Sequence, residues 1–229
     1  MPQSSTVENY LKAIYQAEMA YTKQEALVPM GYLASSLGVV PGTATTMVKA
    51  LDDSGLVNYE PYAGVRLTPA GQKLAAMVLR RHRLIELFLV EVLNMSWAEV
   101  HEEAEHLEHA ASDRLIDRID LMLGRPTVDP HGDPIPDPDG AVEIPHYQSL
   151  LTCPLSTPVI LTRVTNQDTE FLRFLESNNL TPGRSVSVEA RDNAADHVLL
   201  RGKDDQSIAI GMRAAAKLLV VPTSDDTVV

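Results

Sequence analysis

One cysteine, Cys153, is the only thiol among the 229 residues, so the chain can build neither an internal disulfide framework nor a thiolate-cluster metal site. Any metal it binds must be held through nitrogen and oxygen. Also absent is an uninterrupted apolar run near the roughly 20 residues that span a bilayer. The N-terminus lacks the basic-then-apolar pattern of a targeting signal. A cytoplasmic protein with no membrane partner is expected. Positive charge is scarce too: 19 Lys and Arg stand against 31 Asp and Glu, a net charge of -12. Taken over the whole chain, that balance argues against nucleic acid, whose affinity comes largely from phosphate neutralisation.

The deficit is uneven. Residues 1–83 carry 8 Lys and Arg against 6 Asp and Glu, net +2, whereas residues 84–140 carry 3 against 14, net -11. Residues 141–229 carry 8 against 11, net -3. The acid is concentrated in the middle segment, and the N-terminal part is left mildly basic.

Periodicity organises that N-terminal part. Val7, Leu11, Ile14 and Tyr15 in "VENYLKAIYQAEMAY" recur at helical spacing, with Asn9 opposite the apolar arc. A second helix is expected in "MGYLASSLG" and a third in "GTATTMVKALDDSG", bounded by Pro41-Gly42 and Gly55. "LVNYEPYAGVRLTPAG" then reads as two short strands around a Pro/Gly turn. Three helices followed by a hairpin is the order of a winged helix-turn-helix.

Residues 71–93 form a dense apolar helix with "RRHR" on its shoulder, and such a helix in so acidic a chain predicts burial against a second copy, a homodimer. "SWAEVHEEAEHLEHAASDRLIDRIDLML" predicts one further helix, with Ser96 and Glu99 spaced as a capping box. Eight prolines between Gly124 and Pro158 then predict an irregular interdomain linker. The runs "VILTRVT", "SVSVEARD", "HVLLRGK" and "SIAIG", with "TEFLRFLESNN" as a helix among them, predict a small β-barrel. The expected fold class is α+β: a winged helix-turn-helix at 1–72, a helical metal-binding and dimerisation domain at 73–125, a linker at 126–157 and an SH3-like domain at 158–229.

The chemistry concentrates in "HEEAEHLEH", residues 101–109. At about 100° per residue, His101, Glu105, Glu108 and His109 share one stripe beside Ala104, Leu107 and Ala111, while Glu102, Glu103 and His106 point elsewhere. Two carboxylates and two imidazoles have no internal cation, but they are the ligand types favoured by divalent first-row metals. Taken alone, a Glu/His-rich face is more often a solvated surface. His82 and Glu86, again four residues apart on the preceding helix, could meet that stripe across a helix pair. Two enzyme patterns fail. The zinc-protease motif needs histidines four apart, but His101 and His106 are five apart. A di-iron bundle needs two E-x-x-H pairs, and Glu103 with His106 is alone.

With a winged helix first, "RRHRLIE" next and "VHEEAEHLEH" after it, the chain resembles the diphtheria toxin repressor and manganese transport regulator family along nearly its whole length. The resemblance implies a regulatory metal site of Glu105, Glu108 and His109 closed by Asn9. It also implies an ancillary site of His82, Glu86 and His101, completed by Gln167 and Glu170 from "NQDTEFLRF". Iron-sensing members carry Cys where this chain has Glu105 and Met where it has Asn9; oxygen in place of sulfur hardens the site and points to Mn(II), with Fe(II) as the alternative. Lys12 stands where two-domain manganese sensors carry a Glu ligand. The implied function is a Mn(II)-activated repressor of metal-uptake genes, with double-stranded operator DNA and a second copy as partners and no small-molecule substrate. Thr43, Thr45, Thr46 and Lys49 on the third helix and Arg66 in the wing are the candidate DNA contacts. A metal-dependent hydrolase is the competing reading from another class.

Overall fold

The computed structural model describes residues 4–20, 27–143, 145–202 and 206–223; Tyr21 and Lys203, at the ends of two expected elements, lie outside the described residues. The chain forms two compact units. One comprises Met1–His82, His106–Asp117 and Ile135–Val142; the other comprises Arg83–Glu105, Arg118–Pro134 and Glu143–Val229. Among the described residues no helix is long and apolar enough to cross a membrane.

The first unit begins with α1 (Ser5–Ala20), α2 (Met30–Ser36) and α3 (Pro41–Asp53). The apolar spacing of α1 buries Leu11 and Ile14 against Leu33 of α2 and Val48 and Leu51 of α3. Each such side chain contributes about 1.5–3 kcal/mol on leaving water. Pro41 occupies the first turn of α3, where its missing N–H costs nothing. The hairpin of β1 (Val57–Glu60) and β2 (Gly64–Leu67) follows, paired from Val57 with Leu67 to Glu60 with Gly64. Val28 adds a bridge to Val65 through two backbone hydrogen bonds of 2.8 and 3.0 Å. That close approach explains Gly64: its φ is +147°, and a Cβ there would lie 2.5 Å from the Val28 carbonyl oxygen. The expected winged helix-turn-helix is present.

Helices α4 (Pro69–Glu91), α5 (Val100–Glu108) and α6 (Asp113–Met122) follow. The single helix expected over 96–123 is therefore two. Ser112 accounts for part of the break, since its hydroxyl accepts from the Leu115 N–H at 3.3 Å and its carbonyl starts the α6 ladder. At the front, Ser96 accepts from the Ala98 N–H at 3.3 Å and opens a turn ahead of α5.

The second unit contains a six-stranded antiparallel sheet ordered β3 (Gln148–Ser149), β8 (Leu218–Pro222), β4 (Pro158–Val164), β5 (Ser185–Asp192), β6 (His197–Gly202) and β7 (Ser207–Gly211). Bulges at Leu161/Arg163 and Val188/Ala190 curl it. Helix α7 (Thr169–Ser177), capped by the Asp168 carboxylate on the Phe171 N–H, buries Leu172 and Leu175 in its core, and the short α8 (Met212–Ala215) joins β7 to β8. This is the SH3-like module expected from the alternating strands.

The proline-rich stretch departs from the picture of a solvated spacer. It has no helix, and before Gln148 no strand, among its described residues, yet Asp129, His131 and Asp133 are buried within the second unit. The His131 carbonyl accepts from the Val164 N–H at 2.8 Å. Gly132 lies so near β4 that a Cβ would come within 1.8 Å of the Thr162 carbonyl oxygen.

Candidate metal centre

In the first unit, polar side chains converge on Glu108, which is 0% exposed at the last turn of α5. Lys12, from the third turn of α1, places its Nζ 2.8 Å from Oε1 and 3.0 Å from Oε2. His82 of α4 places Nδ1 2.7 Å from Oε2. His109, one residue past α5, has Nε2 3.3 Å from Glu108 Oε1 and 2.7 Å from Asn9 Oδ1. Its Nδ1 lies 2.6 Å from Glu8 Oε2, and Arg81 supports Glu8 at 3.4 Å. Burial by itself would push the Glu108 carboxyl up, but the His82 hydrogen bond and the Lys12 ammonium outweigh it and hold the group below the ordinary glutamate range. A carboxylate kept ionised with no solvent exposure is a seat for a cation, and here an ammonium sits in it.

The periodicity that buries Leu11 and Ile14 also sets Glu8, Asn9 and Lys12 on one flank of α1, since residues three and four apart are neighbours on a helix. Asn9, Glu108 and His109 are thus brought together. Glu105 precedes Glu108 by three residues on α5, and its Oε1 lies 3.7 Å from Nε2 of His101 in the second unit.

The second unit holds another cluster. Glu86 is 1% exposed and its Oε1 lies 3.1 Å from His101 Nδ1. Asp129 and His131 join Glu86, with one potential ligand atom from each of the three lying within 4.8 Å of the others. His131 Nε2 is 2.8 Å from the Trp97 carbonyl oxygen, so it carries the proton and donates; Nδ1, buried with no hydrogen-bond partner, presents its lone pair. Asp129 Oδ1 accepts from the His131 and Asp133 N–H groups at 2.8 and 2.9 Å. Burial pushes the Asp129 carboxyl well up, and the charges of Asp133 and Glu86 push it further despite Arg83. Crowded buried acids, with Arg83 Nε 3.6 Å from Asp129 Oδ2, beside an imidazole whose lone pair has no hydrogen-bond partner form a candidate cation site.

The expected ancillary ligands His82, Glu86 and His101 each offer a potential ligand atom within 4.8 Å of the others, and His82 also reaches Glu108. Gln167 donates from Nε2 to Asp133 Oδ2 at 2.9 Å, and Arg163 Nε lies 2.5 Å from Asp133 Oδ1. Glu170 is exposed in the first turn of α7. Helical spacing and the family resemblance do not single out Glu8, Asp129 or His131. A signal for the last two was present in "DPHGD", where Asp, His and Asp alternate inside an otherwise proline-dominated run.

On α3, Thr43 and Lys49 are exposed. The Thr45 and Thr46 hydroxyls donate back to the Pro41 and Gly42 carbonyls at 2.9 Å, which turns their methyls and oxygen lone pairs outward. Arg66 is half-buried on β2.

Comparison with known proteins matches each part separately. Residues 3–65 match the iron dependent repressor N-terminal DNA binding domain, residues 68–137 the iron dependent repressor metal binding and dimerisation domain, and residues 148–222 the FeoA domain. The chain is 31% identical over 198 residues to the diphtheria toxin repressor of Corynebacterium efficiens, covering 80% of this chain and 82% of that one. It is 28% identical over 226 residues to the iron-dependent repressor IdeR of Mycobacterium tuberculosis, covering 93% and 96%. A solved manganese-dependent transcriptional repressor in complex with manganese superposes with a TM-score of 0.85 at 36% identity, over 95% of this chain and 100% of that one.

Proposed function

The chain belongs to the diphtheria toxin repressor family of metal-dependent, DNA-binding transcriptional repressors, and from that premise we propose that Mn(II) is the ion that activates it. It is not an enzyme, and it carries the family's DNA-binding and dimerisation domains. The observation that carries the metal assignment is the donor set around Glu108, which is oxygen and nitrogen throughout: Glu108, His109 and Asn9, with Glu105 one turn earlier on α5. The one thiol, Cys153, is buried in the SH3-like module against Leu150 and Arg191. Hard donors of this kind favour Mn(II) or Fe(II) over softer ions.

The residues fit such an ion, because the buried Glu108 carboxylate already holds a cationic group, Lys12 Nζ. When bound, the ion supplies two positive charges and directional coordination to these oxygens and nitrogens. The chain's own residues do the rest. Glu8 holds Nδ1 of His109, leaving Nε2 turned to Asn9 and Glu108, the carboxylate–imidazole arrangement that orients metal-binding histidines. Asn9 couples α1, and with it the winged helix, to the end of α5. Moving a two-state equilibrium from 1:99 to 99:1 requires about 5.5 kcal/mol of differential affinity. A link formed in only one arrangement of α1 and α5 can contribute to that bias. In the favoured arrangement the two α3 helices of a dimer enter successive major grooves of a near-palindromic operator and repress metal-uptake genes.

Glu86, Asp129 and His131 form a second metal site in this reading, with His131 Nδ1 as its nitrogen donor. Operator binding measured with Mn(II), Fe(II), Co(II) and Zn(II) in turn tests the assignment. Activation by Mn(II), abolished in Glu108→Ala and His109→Ala, is expected; activation by Fe(II) alone would move the assignment to iron. Unchanged Mn(II)-dependent binding by both variants would remove Glu108 and His109 from the regulatory site.

A further inference from the structure

The hairpin tip carries a residue that packing does not explain. The pairing ends at Glu60 and Gly64, which leaves Pro61, Tyr62 and Ala63 as the turn. Tyr62 is 107% exposed, the highest value of any large apolar side chain described. Its φ is +67°, a left-handed conformation in which an aromatic residue is strained and glycine is at ease. Neither burial nor backbone geometry favours tyrosine here.

The surroundings say what it faces. A concavity of about 560 Å³ runs from α3 to the hairpin, with Thr45 and Lys49 on one side and Tyr59, Pro61 and Tyr62 on the other. Thr45 and Lys49 are among the candidate DNA contacts of the recognition helix. The tip residues Pro61, Tyr62, Ala63 and Gly64 include no cation, so the tip itself has nothing with which to neutralise a phosphate.

We propose that Tyr62 is a DNA-binding residue that contacts the duplex through its ring, by stacking and apolar contact with sugars and base edges in the groove beside the one entered by α3. A sugar-phosphate strand lies along the concavity, held by Lys49 on the α3 side, and the ring of Tyr62 reaches past it. Side chains of this size are inserted into minor grooves by many architectural proteins, and aromatic rings stack on bases with little dependence on sequence. The left-handed backbone is then strain retained for binding, since the turn aims the ring away from the unit.

The inference rests on the repressor reading above, and the experiment separates the two. Full-length protein with Mn(II) selects a duplex from a random-sequence pool, and that duplex is titrated with wild type, Tyr62→Phe, Tyr62→Ala and Tyr62→Gly over a range of salt. The alanine and glycine variants are expected to bind about five- to tenfold more weakly, equivalent to roughly 1–1.4 kcal/mol. Phenylalanine is expected to stay within about twofold of wild type, and the slope of log affinity against log salt is expected not to change, because no ionic contact is lost. Tyr62→Gly is also expected to melt a few degrees higher than wild type as the left-handed strain is relieved, a shift that a structural role for the ring would reverse. Alanine binding as well as wild type, phenylalanine binding as weakly as alanine, or a shallower salt slope overturns the inference while the repressor reading stands. A wild-type protein that selects no duplex overturns both.

Discussion

Replacing Lys12 by methionine isolates what the buried ammonium does. In the wild type, Lys12 Nζ sits 2.8 and 3.0 Å from the two oxygens of Glu108, at 7% and 0% side-chain exposure. Methionine fills similar space with no charge, so the carboxylate keeps its burial and loses its nearest cation. Removing one partner of a buried pair costs about 3–5 kcal/mol, and the lower end applies here because His82 still engages Oε2. For a chain of this size about 3 kcal/mol corresponds to a fall in Tm of roughly 6–12 °C. A metal ion at Glu108 must share the carboxylate with the ammonium or displace it, so the variant should bind Mn(II) more tightly and recover most of its lost Tm when Mn(II) is added. Thermal melts with chelator and with saturating Mn(II), together with a Mn(II) titration, measure both effects. The same fall in Tm under both conditions, or Mn(II) affinity no higher than wild type, would refute the idea that Lys12 holds the seat of a cation.

Two further outcomes follow from the second cluster. Asp129 has its carboxyl pushed up, so its ionisation opposes folding: stability is full below the ordinary aspartate range and is lost as pH rises through the higher folded value. Asp129→Asn keeps an oxygen for the two N–H groups and removes the charge, so in chelator it should be more stable than wild type near neutral pH and should flatten that decline, as urea melts across pH would show. Gly132→Ala should cost more than about 1 kcal/mol, since it combines a φ of +84° with a Cβ driven into the Thr162 carbonyl. A Tm equal to wild type would contradict the close approach of this loop to β4.

Much of the fold could be read from spacing. Leu11 and Ile14 mark the inward face of α1, and Pro41 and Gly55 bracket α3, because helix boundaries and amphipathic faces are local properties. The break between α5 and α6 was not legible: Ala110 and Ala111 are good helix formers, and only the cap made by Ser112 shows that the ladder restarts. At the site, the stripe of Glu108 and His109 was visible on a wheel, as was Asn9 once the resemblance pointed to it. Lys12 stands out in the sequence as a departure from the family pattern, but its grip on Glu108 spans 96 residues of sequence, a separation no periodicity encodes. Asp129 and His131 were hidden for a different reason. Proline density marks a segment as irregular and says nothing about burial, and this irregular segment is held inside by backbone hydrogen bonds and by Arg83, which donates to the Pro134 carbonyl.

The chain has one tryptophan, and Trp97 stacks on His131 with ring centroids 5.3 Å apart and planes inclined by 29°. Indole emission is sensitive to the charge and electronic state of a ring in such contact. The protein therefore carries an optical reporter of the Glu86–Asp129–His131 cluster, one that reads the filling of that cluster by fluorescence without a label.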